Sequence, residues 1–186
     1  MIRYLISFLL LTIAATPSCA DQVEEEILAG YYELLDDAEA GSAQEKLALF
    51  SYTFEHSNVL GKYSATALEH LAEASNLGNG EASFRLAQLI EHGMWAEKSA
   101  EGALIYYVLA AQQGNTEAMF WCVLHFAEAA RDDDNAGRTD ALRNTERWYE
   151  ALSESDKASK DLHVKAKVVH LRPPGKRDPS RSSDSG

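Results

Sequence analysis

The chain has 186 residues, of which 46% are hydrophobic, and its 17 lysines and arginines against 29 aspartates and glutamates give a formal net charge of −12. A chain of this length can bury a sizeable core without disulfides or metal ions to stabilise it. The excess of acidic residues argues against nucleic acid and anionic membrane surfaces as partners, because both are negatively charged.

Residues 1–20 are a predicted signal peptide. Arg3 supplies a positive charge near the N-terminus, residues 5–15 form the apolar run, and Ser18-Cys19-Ala20 forms a cleavage site of small residues. The apolar run is shorter than the about 20 residues that span a bilayer, and no transmembrane segment is predicted. We therefore expect a periplasmic or secreted protein. A lipoprotein anchored through Cys19 is the alternative.

Residues 21–63 are predicted to form a divergent N-terminal repeat that caps the fold. The spacing of apolar residues predicts a first helix over 22–40, which Gly41 ends. The sequence Ser42-Ala43-Gln44-Glu45 is a capping box and starts a second helix, which we expect to run to about His56.

The stretch 67–129 contains one pattern twice. Five positions of the first copy return 36 positions later: Ala67 as Ala103, Leu71 as Tyr107, Ala74 as Ala110, Gly78 as Gly114, and Asn79 as Asn115. A period of this length is typical of stacked helical hairpins. Each glycine can end a helix in the left-handed conformation, and each asparagine can cap the helix that follows.

These residues resemble the Sel-one-like repeat, a relative of the tetratricopeptide repeat, over about residues 64–130. The matching positions are Ala103, Tyr106-Tyr107, Ala110-Ala111, Gly114-Asn115 and Ala118. The family's loop resembles residues 93–99, where Trp95 replaces the second glycine and Ser99 replaces the aspartate. Ser99 can still cap a helix, but we expect the loop backbone to differ at Trp95.

The resemblance implies a fold and a kind of function. The fold is all-α, a right-handed solenoid of about four helix-turn-helix hairpins with a disordered C-terminal tail. Such repeats resemble scaffolds that bind proteins or peptides, so the resemblance favours a binding protein without naming its partner.

After residue 130 the pattern loosens. Residues 131–171 are predicted to be a degenerate repeat, with a polar loop over 131–137 and a helix over 140–152. Its partner over 157–170 is either a helix, which we favour, or an edge strand. Residues 172–186 hold three of the four prolines and are predicted to be disordered.

Charge divides between the two ends of the chain. Residues 21–156 hold 8 basic and 26 acidic side chains, a balance of −18, whereas residues 157–186 hold 8 basic and 3 acidic, a balance of +5. The acidic body favours a basic partner. The basic tail folds back on the body, contacts anionic lipid, or binds nothing, and the sequence leaves these three interpretations open.

No motif predicts catalysis, a metal ion or a cofactor. His70 and Glu73 lie one helical turn apart, as do His125 and Glu128, but neither pair has the third ligand that a metal needs. His125 falls on the packing stripe and is predicted to be a core or interface histidine, with His70 half exposed. The acidic run 132–137 fails as a calcium loop because Ala136 offers no side-chain oxygen.

The remaining candidate nucleophiles have structural explanations. Cys122 is predicted to be a small buried hydrophobe. Ser64, Ser75 and Ser83 are interpreted as helix-end or surface residues.

We expect an exported, non-catalytic module that binds a protein or peptide in a groove lined by the first helix of each hairpin. The predicted binding residues are acidic side chains that attract a basic partner and rings that serve as anchors: Glu33, Glu69, His70, Glu73, Trp95 and Tyr106. Trp95 is either an exposed anchor or a cover for the helix ends.

Two other classes of function remain open. The first is a periplasmic immunity or inhibitor protein that neutralises a toxin or a hydrolase. The second is an envelope hydrolase of the cysteine-rich repeat type, although those relatives carry paired cysteines and the predicted mature chain has only Cys122.

Overall fold

The computed structural model describes residues 18–132 and 135–155, and this part of the chain is all-helical. Its long helices are α1 (Cys19–Glu39), α2 (Ala43–Glu55), α3 (Ser64–Asn76), α4 (Gly80–His92), α5 (Ala100–Gln112), α6 (Thr116–Asp132) and α7 (Asn135–Ser155). A short α-helical turn, Ser57–Leu60, and a 3-10 turn, Gly61–Tyr63, join α2 to α3. Residues 1–17, 133–134 and 156–186 lie outside the described ranges, and with them most of the predicted signal peptide, the predicted helix or strand over 157–170 and the predicted disordered tail over 172–186.

The bounds of the central helices repeat with the period of the sequence. Helices α3 and α5 begin at residues 64 and 100, and α4 and α6 begin at residues 80 and 116. Gly78 and Gly114 both have φ +91°, the left-handed conformation that ends the preceding helix. Asn79 and Asn115 each accept a hydrogen bond from the backbone N–H three residues on, at 3.0 and 2.8 Å. Both predicted capping devices are confirmed.

The first two helices also agree with their prediction. Helix α1 ends at Glu39, before Gly41, and α2 begins at Ala43. The Glu45 carboxylate accepts a hydrogen bond from the backbone N–H of Ser42, and this bond holds the pKa of Glu45 below its ordinary value. The predicted cleavage site lies at the start of α1, where Cys19 is exposed.

The predicted polar loop over 131–137 is wrong at both ends. Helix α6 continues to Asp132, and α7 already begins at Asn135. Ala130 of α6 and Ala141 of α7 are both buried, so packing supports each helix close to this stretch in spite of its polar sequence. The predicted helix over 140–152 lies within α7.

Each long helix packs against the next one along the chain. The buried side chains form three clusters. The first core holds Tyr31, Ala38, Leu49 and Leu60. The middle core holds Leu47, Phe50, Ala67, Leu71, Ala74, Ala82, Leu86 and Leu89. The last core extends from Phe84 to Leu152. Cys122 belongs to it, is fully buried as predicted, and has its pKa raised to about 12 by burial.

A buried polar contact joins the two repeats. The Ser83 hydroxyl donates to Oε1 of Gln113 at 2.5 Å and lies 2.6 Å from the Ser75 hydroxyl. Nε2 of Gln113 donates to the Ser75 carbonyl oxygen at 2.9 Å. Ser75 and Ser83 lie in the last turn of α3 and the first turn of α4, as the helix-end interpretation expects, but both are buried rather than at the surface.

Within the described ranges, no helix combines the length and the apolar character needed to cross a bilayer.

Candidate functional site

The six predicted binding residues lie on four elements. Glu33 is on α1, the trio Glu69, His70 and Glu73 is on α3, Trp95 is in the loop between α4 and α5, and Tyr106 is on α5. Glu33 and Glu69 are exposed, whereas Tyr106 is half-buried and packs against both the middle and the last core. The direct contact within the set joins His70 to Glu73.

Glu73 is held by a buried lysine. Nζ of Lys46 lies 2.7 Å from Oε2 of Glu73 and donates to the Ala38 carbonyl oxygen at 2.7 Å. The hydrogen bond from Lys46 lowers the pKa of Glu73. Because its charge is already paired, Glu73 is less available to a basic partner than the prediction assumed.

His70 is more buried than predicted. Its side chain is 13% exposed, which makes the expectation of a half-exposed ring wrong. Nδ1 lies 3.7 Å from Oε2 of Glu73, beyond hydrogen-bond distance, and has no hydrogen-bond partner among the described residues. The helix places His70 one turn before Glu73, so the two side chains lie together on one side of α3.

Trp95 packs on α2. Its φ is +57°, so it occupies the left-handed conformation that a glycine would adopt more easily. Its ring lies edge-on to Phe54 and to Phe50, with centroids 5.2 and 6.0 Å away. The ring therefore covers apolar side chains of α2.

A cleft of about 220 Å³ opens between α2, α4 and the loop that contains Trp95. Its floor includes Phe50 and Leu89, each 3% exposed, and Phe54 and Met94 stand beside it, each 41% exposed. The full lining is Phe50, Ser51, Phe54, Glu55, Arg85, Gln88, Leu89 and Met94. We call this site the α2–α4 cleft. Sequence analysis named none of these residues as a binding residue.

The rim of the α2–α4 cleft carries one charge that is paired and one that is not. Nε of Arg85 lies 2.8 Å from Oε1 of Glu81, and its Nη1 donates to Gln88 at 3.3 Å. Glu55 is exposed, and no ion pair joins its carboxylate to the described residues. The available charge beside the apolar floor is therefore negative.

The size of the α2–α4 cleft limits its occupant. Pockets for small organic ligands and cofactors span about 300–1,000 Å³. At about 220 Å³ the cleft is smaller and suits one or two side chains of another polypeptide.

A second group of side chains, on α5 and α6, forms a stack of three rings. The Trp121 ring is stacked between Tyr107, 3.8 Å away, and His125, 4.7 Å away. The Tyr107 hydroxyl donates to Oε2 of Glu91 at 2.6 Å, and burial raises the pKa of Tyr107. Burial lowers the pKa of His125, which favours the neutral ring. These contacts give the three rings a packing role between α5 and α6.

Among residues 18–132 and 135–155, no group of three or more histidine, cysteine, aspartate or glutamate side chains is placed to hold a metal ion. No family model, curated protein or solved structure matches this chain.

Proposed function

We propose that the chain is a non-catalytic protein-binding module and that a segment of its partner binds in the α2–α4 cleft. The observation that supports this proposal is the exposure of Phe54 and Met94 beside a buried apolar floor. Large apolar side chains exposed together at a cleft are typical of interaction sites, where anchor residues of a partner are desolvated.

The lining of the cleft favours a partner segment that carries an apolar side chain beside a basic one. An apolar side chain fits the floor of Phe50 and Leu89, and a lysine or arginine beside it meets the carboxylate of Glu55. The balance of −18 over residues 21–156 would speed the approach of such a basic segment. Glu33 and Glu69, both exposed, contribute to this long-range attraction rather than to the cleft itself.

We further propose that the helices build a right-handed solenoid of the Sel-one-like kind and that the exported chain begins after Ala20. The 36-residue spacing of helix bounds and the packing of each helix on its chain neighbour support the solenoid. Export rests on the pattern of residues 1–20 alone.

The test is affinity capture with residues 21–186, the proposed exported chain, on an extract of its own cell envelope, with three proteins side by side. These are the wild type, a cleft variant with Phe54→Ser and Met94→Ser, and a control variant with Leu77→Ser and Ile105→Ser. The control changes two apolar side chains that are 61% and 66% exposed and lie outside the cleft lining. Circular dichroism verifies that each variant is folded.

We expect the wild type and the control to retain the same protein and the cleft variant to lose it, by about tenfold or more, as for anchor residues of an interface. Equal retention by all three proteins would contradict the proposed site. A captured hydrolase that loses activity when one equivalent of the chain is added would identify the module as an inhibitor.

A further inference from the structure

We infer that Met94 is an oxidation site that regulates the α2–α4 cleft: a peroxide converts its thioether to the sulfoxide, and the oxidised cleft releases its partner. This inference deepens the proposed function of the cleft and rests on it. It names the modification, and the side chain that carries it, through which the module loses its partner under oxidising conditions and regains it after reduction.

Met94 is the methionine of the described chain that a peroxide can reach. It is 41% exposed, whereas Met119 is 7% exposed and belongs to the last core. The sequence has three methionines, and the third, Met1, lies in the predicted signal peptide. The proposed exported chain, residues 21–186, therefore contains one exposed thioether and one buried thioether. A peroxide must contact the sulfur to oxidise it, so the exposed one reacts first.

The backbone holds Met94 beside the cleft. Gly93 ends α4 in the left-handed conformation, with φ +69°, and the N–H of Met94 donates to the Leu89 carbonyl oxygen at 2.9 Å. The next residue, Trp95, packs on Phe54. The chain is therefore fixed on both sides of Met94, so oxidation changes the chemistry of the cleft lining rather than removing Met94 from it.

A sulfoxide changes what the cleft accepts. The thioether of Met94 extends the apolar floor, whereas a sulfoxide is polar and its oxygen needs a hydrogen bond. Nε and Nη1 of Arg85, the basic side chain of the lining, already point to Glu81 and Gln88, so water supplies that bond in the open cleft. An apolar side chain of the partner expels this water and leaves the oxygen unpaired, which weakens binding by about tenfold.

The oxidation step needs a peroxide and no other reactant. The sulfur lone pair attacks one oxygen of hydrogen peroxide, and the S–O bond forms as the O–O bond breaks. The proton on the transferred oxygen passes to the departing hydroxide, which leaves as water. Sulfur is oxidised by two electrons and the peroxide is reduced by two. A sulfoxide reductase with a dithiol as reductant reverses the change and yields the thioether, a disulfide and water.

Peroxide treatment of the proposed exported chain, residues 21–186, tests this inference. Wild type and Met94→Leu are each treated with hydrogen peroxide, which catalase then removes, and an untreated sample of each is kept. Mass spectrometry measures sulfoxide at Met94 and at Met119, and circular dichroism verifies the fold. Every sample is then used for capture from the envelope extract, and the retained protein is quantified. Each protein is compared with its own untreated sample, so the basal binding of Met94→Leu does not enter the comparison.

We expect Met94 to oxidise about tenfold faster than Met119, because its sulfur is accessible. Retention by oxidised wild type should fall about tenfold and return after treatment with sulfoxide reductases for both epimers. Retention by Met94→Leu should not respond to peroxide. Equal oxidation of the two methionines, or unchanged retention by wild type once Met94 is oxidised, would overturn the inference. Equal losses by wild type and Met94→Leu would overturn it as well, because the peroxide would then act through another residue.

The cleft variant, with Phe54→Ser and Met94→Ser, separates this inference from the proposed function. If the cleft variant loses the partner but oxidised wild type keeps it, the cleft binds the partner and oxidation does not regulate it. If the cleft variant and oxidised wild type both keep the partner, the partner binds elsewhere and both proposals fail.

Discussion

Nζ of Lys46 lies 2.7 Å from the carboxylate of Glu73 and 2.7 Å from the carbonyl oxygen of Ala38. Lysine is rarely buried unless it is paired, and Lys46 is 6% exposed. Its ammonium group satisfies a carbonyl at the end of α1 and a carboxylate on α3 while its stem belongs to α2. One cation thus connects three helices.

Glu73→Gln should lower stability at neutral pH but not in acid. Lys46 holds the pKa of Glu73 below its ordinary value of 4.5 in the folded chain. The stabilisation is therefore complete above that value and is lost as the pH falls through the lowered pKa. Urea unfolding at pH 7 and pH 3 measures the difference between wild type and variant, which should shrink in acid. Glu69→Gln, on the same helix, is the control. A difference in unfolding free energy between wild type and Glu73→Gln that is equal at pH 7 and pH 3 would contradict this account.

Gln113→Ala should destabilise the junction between the two repeats. The substitution leaves the buried Ser83 hydroxyl and the Ser75 carbonyl oxygen without their amide partner, which costs about 1–3 kcal/mol. Gln112→Ala, at an exposed neighbouring position, removes the same chemical group without breaking this contact. Urea denaturation should separate the two variants, and equal midpoints would show that the junction contributes nothing.

Trp95→Gly should be more stable than Trp95→Ala, although glycine is normally the less favourable residue. Both variants lose the ring that packs on Phe50 and Phe54. Only alanine retains a Cβ at φ +57°, and the left-handed conformation costs an L-residue about 1–2 kcal/mol. Thermal or urea unfolding of the two variants provides the comparison. A more stable alanine variant would mean that the backbone at residue 95 is not held in this conformation.

Cys122 should resist alkylation in the folded protein. The thiol is fully buried and its pKa is raised to about 12, so almost no thiolate forms at pH 8. Iodoacetamide labelling of the uncleaved chain, which retains Cys19, followed by mass spectrometry, should modify exposed Cys19 rapidly and Cys122 only as urea unfolds the chain. Fast labelling of Cys122 in the absence of urea would show that the last core opens readily.

The helices were predictable because local chemistry determines where they begin and end. The glycines at 78 and 114 and the asparagines at 79 and 115 act on their immediate neighbours, and their spacing places the bounds of α3 to α6. The predicted loop over 131–137 failed where local polarity suggested a break but packing of Ala130 and Ala141 sustains both helices.

The site was not predictable from local pattern. The α2–α4 cleft joins Phe54 to Met94, 40 positions away in the sequence, and Met94 directly follows left-handed Gly93, which ends α4. A lysine is normally expected at the surface. Lys46 is buried because its ammonium group donates a hydrogen bond to the Ala38 carbonyl oxygen at the end of α1, a contact that the local sequence does not reveal. Long-range packing therefore decides which charges are paired, and so which remain available to a partner.

The affinity of the captured partner for the three proteins tests the central claim most directly. Isothermal titration should give the control variant, with Leu77→Ser and Ile105→Ser, an affinity within about twofold of wild type, because substitutions outside the anchors are nearly neutral. The cleft variant, with Phe54→Ser and Met94→Ser, should bind about tenfold or more weakly, as expected for lost anchors. Unchanged affinity of a folded cleft variant would contradict binding in the α2–α4 cleft.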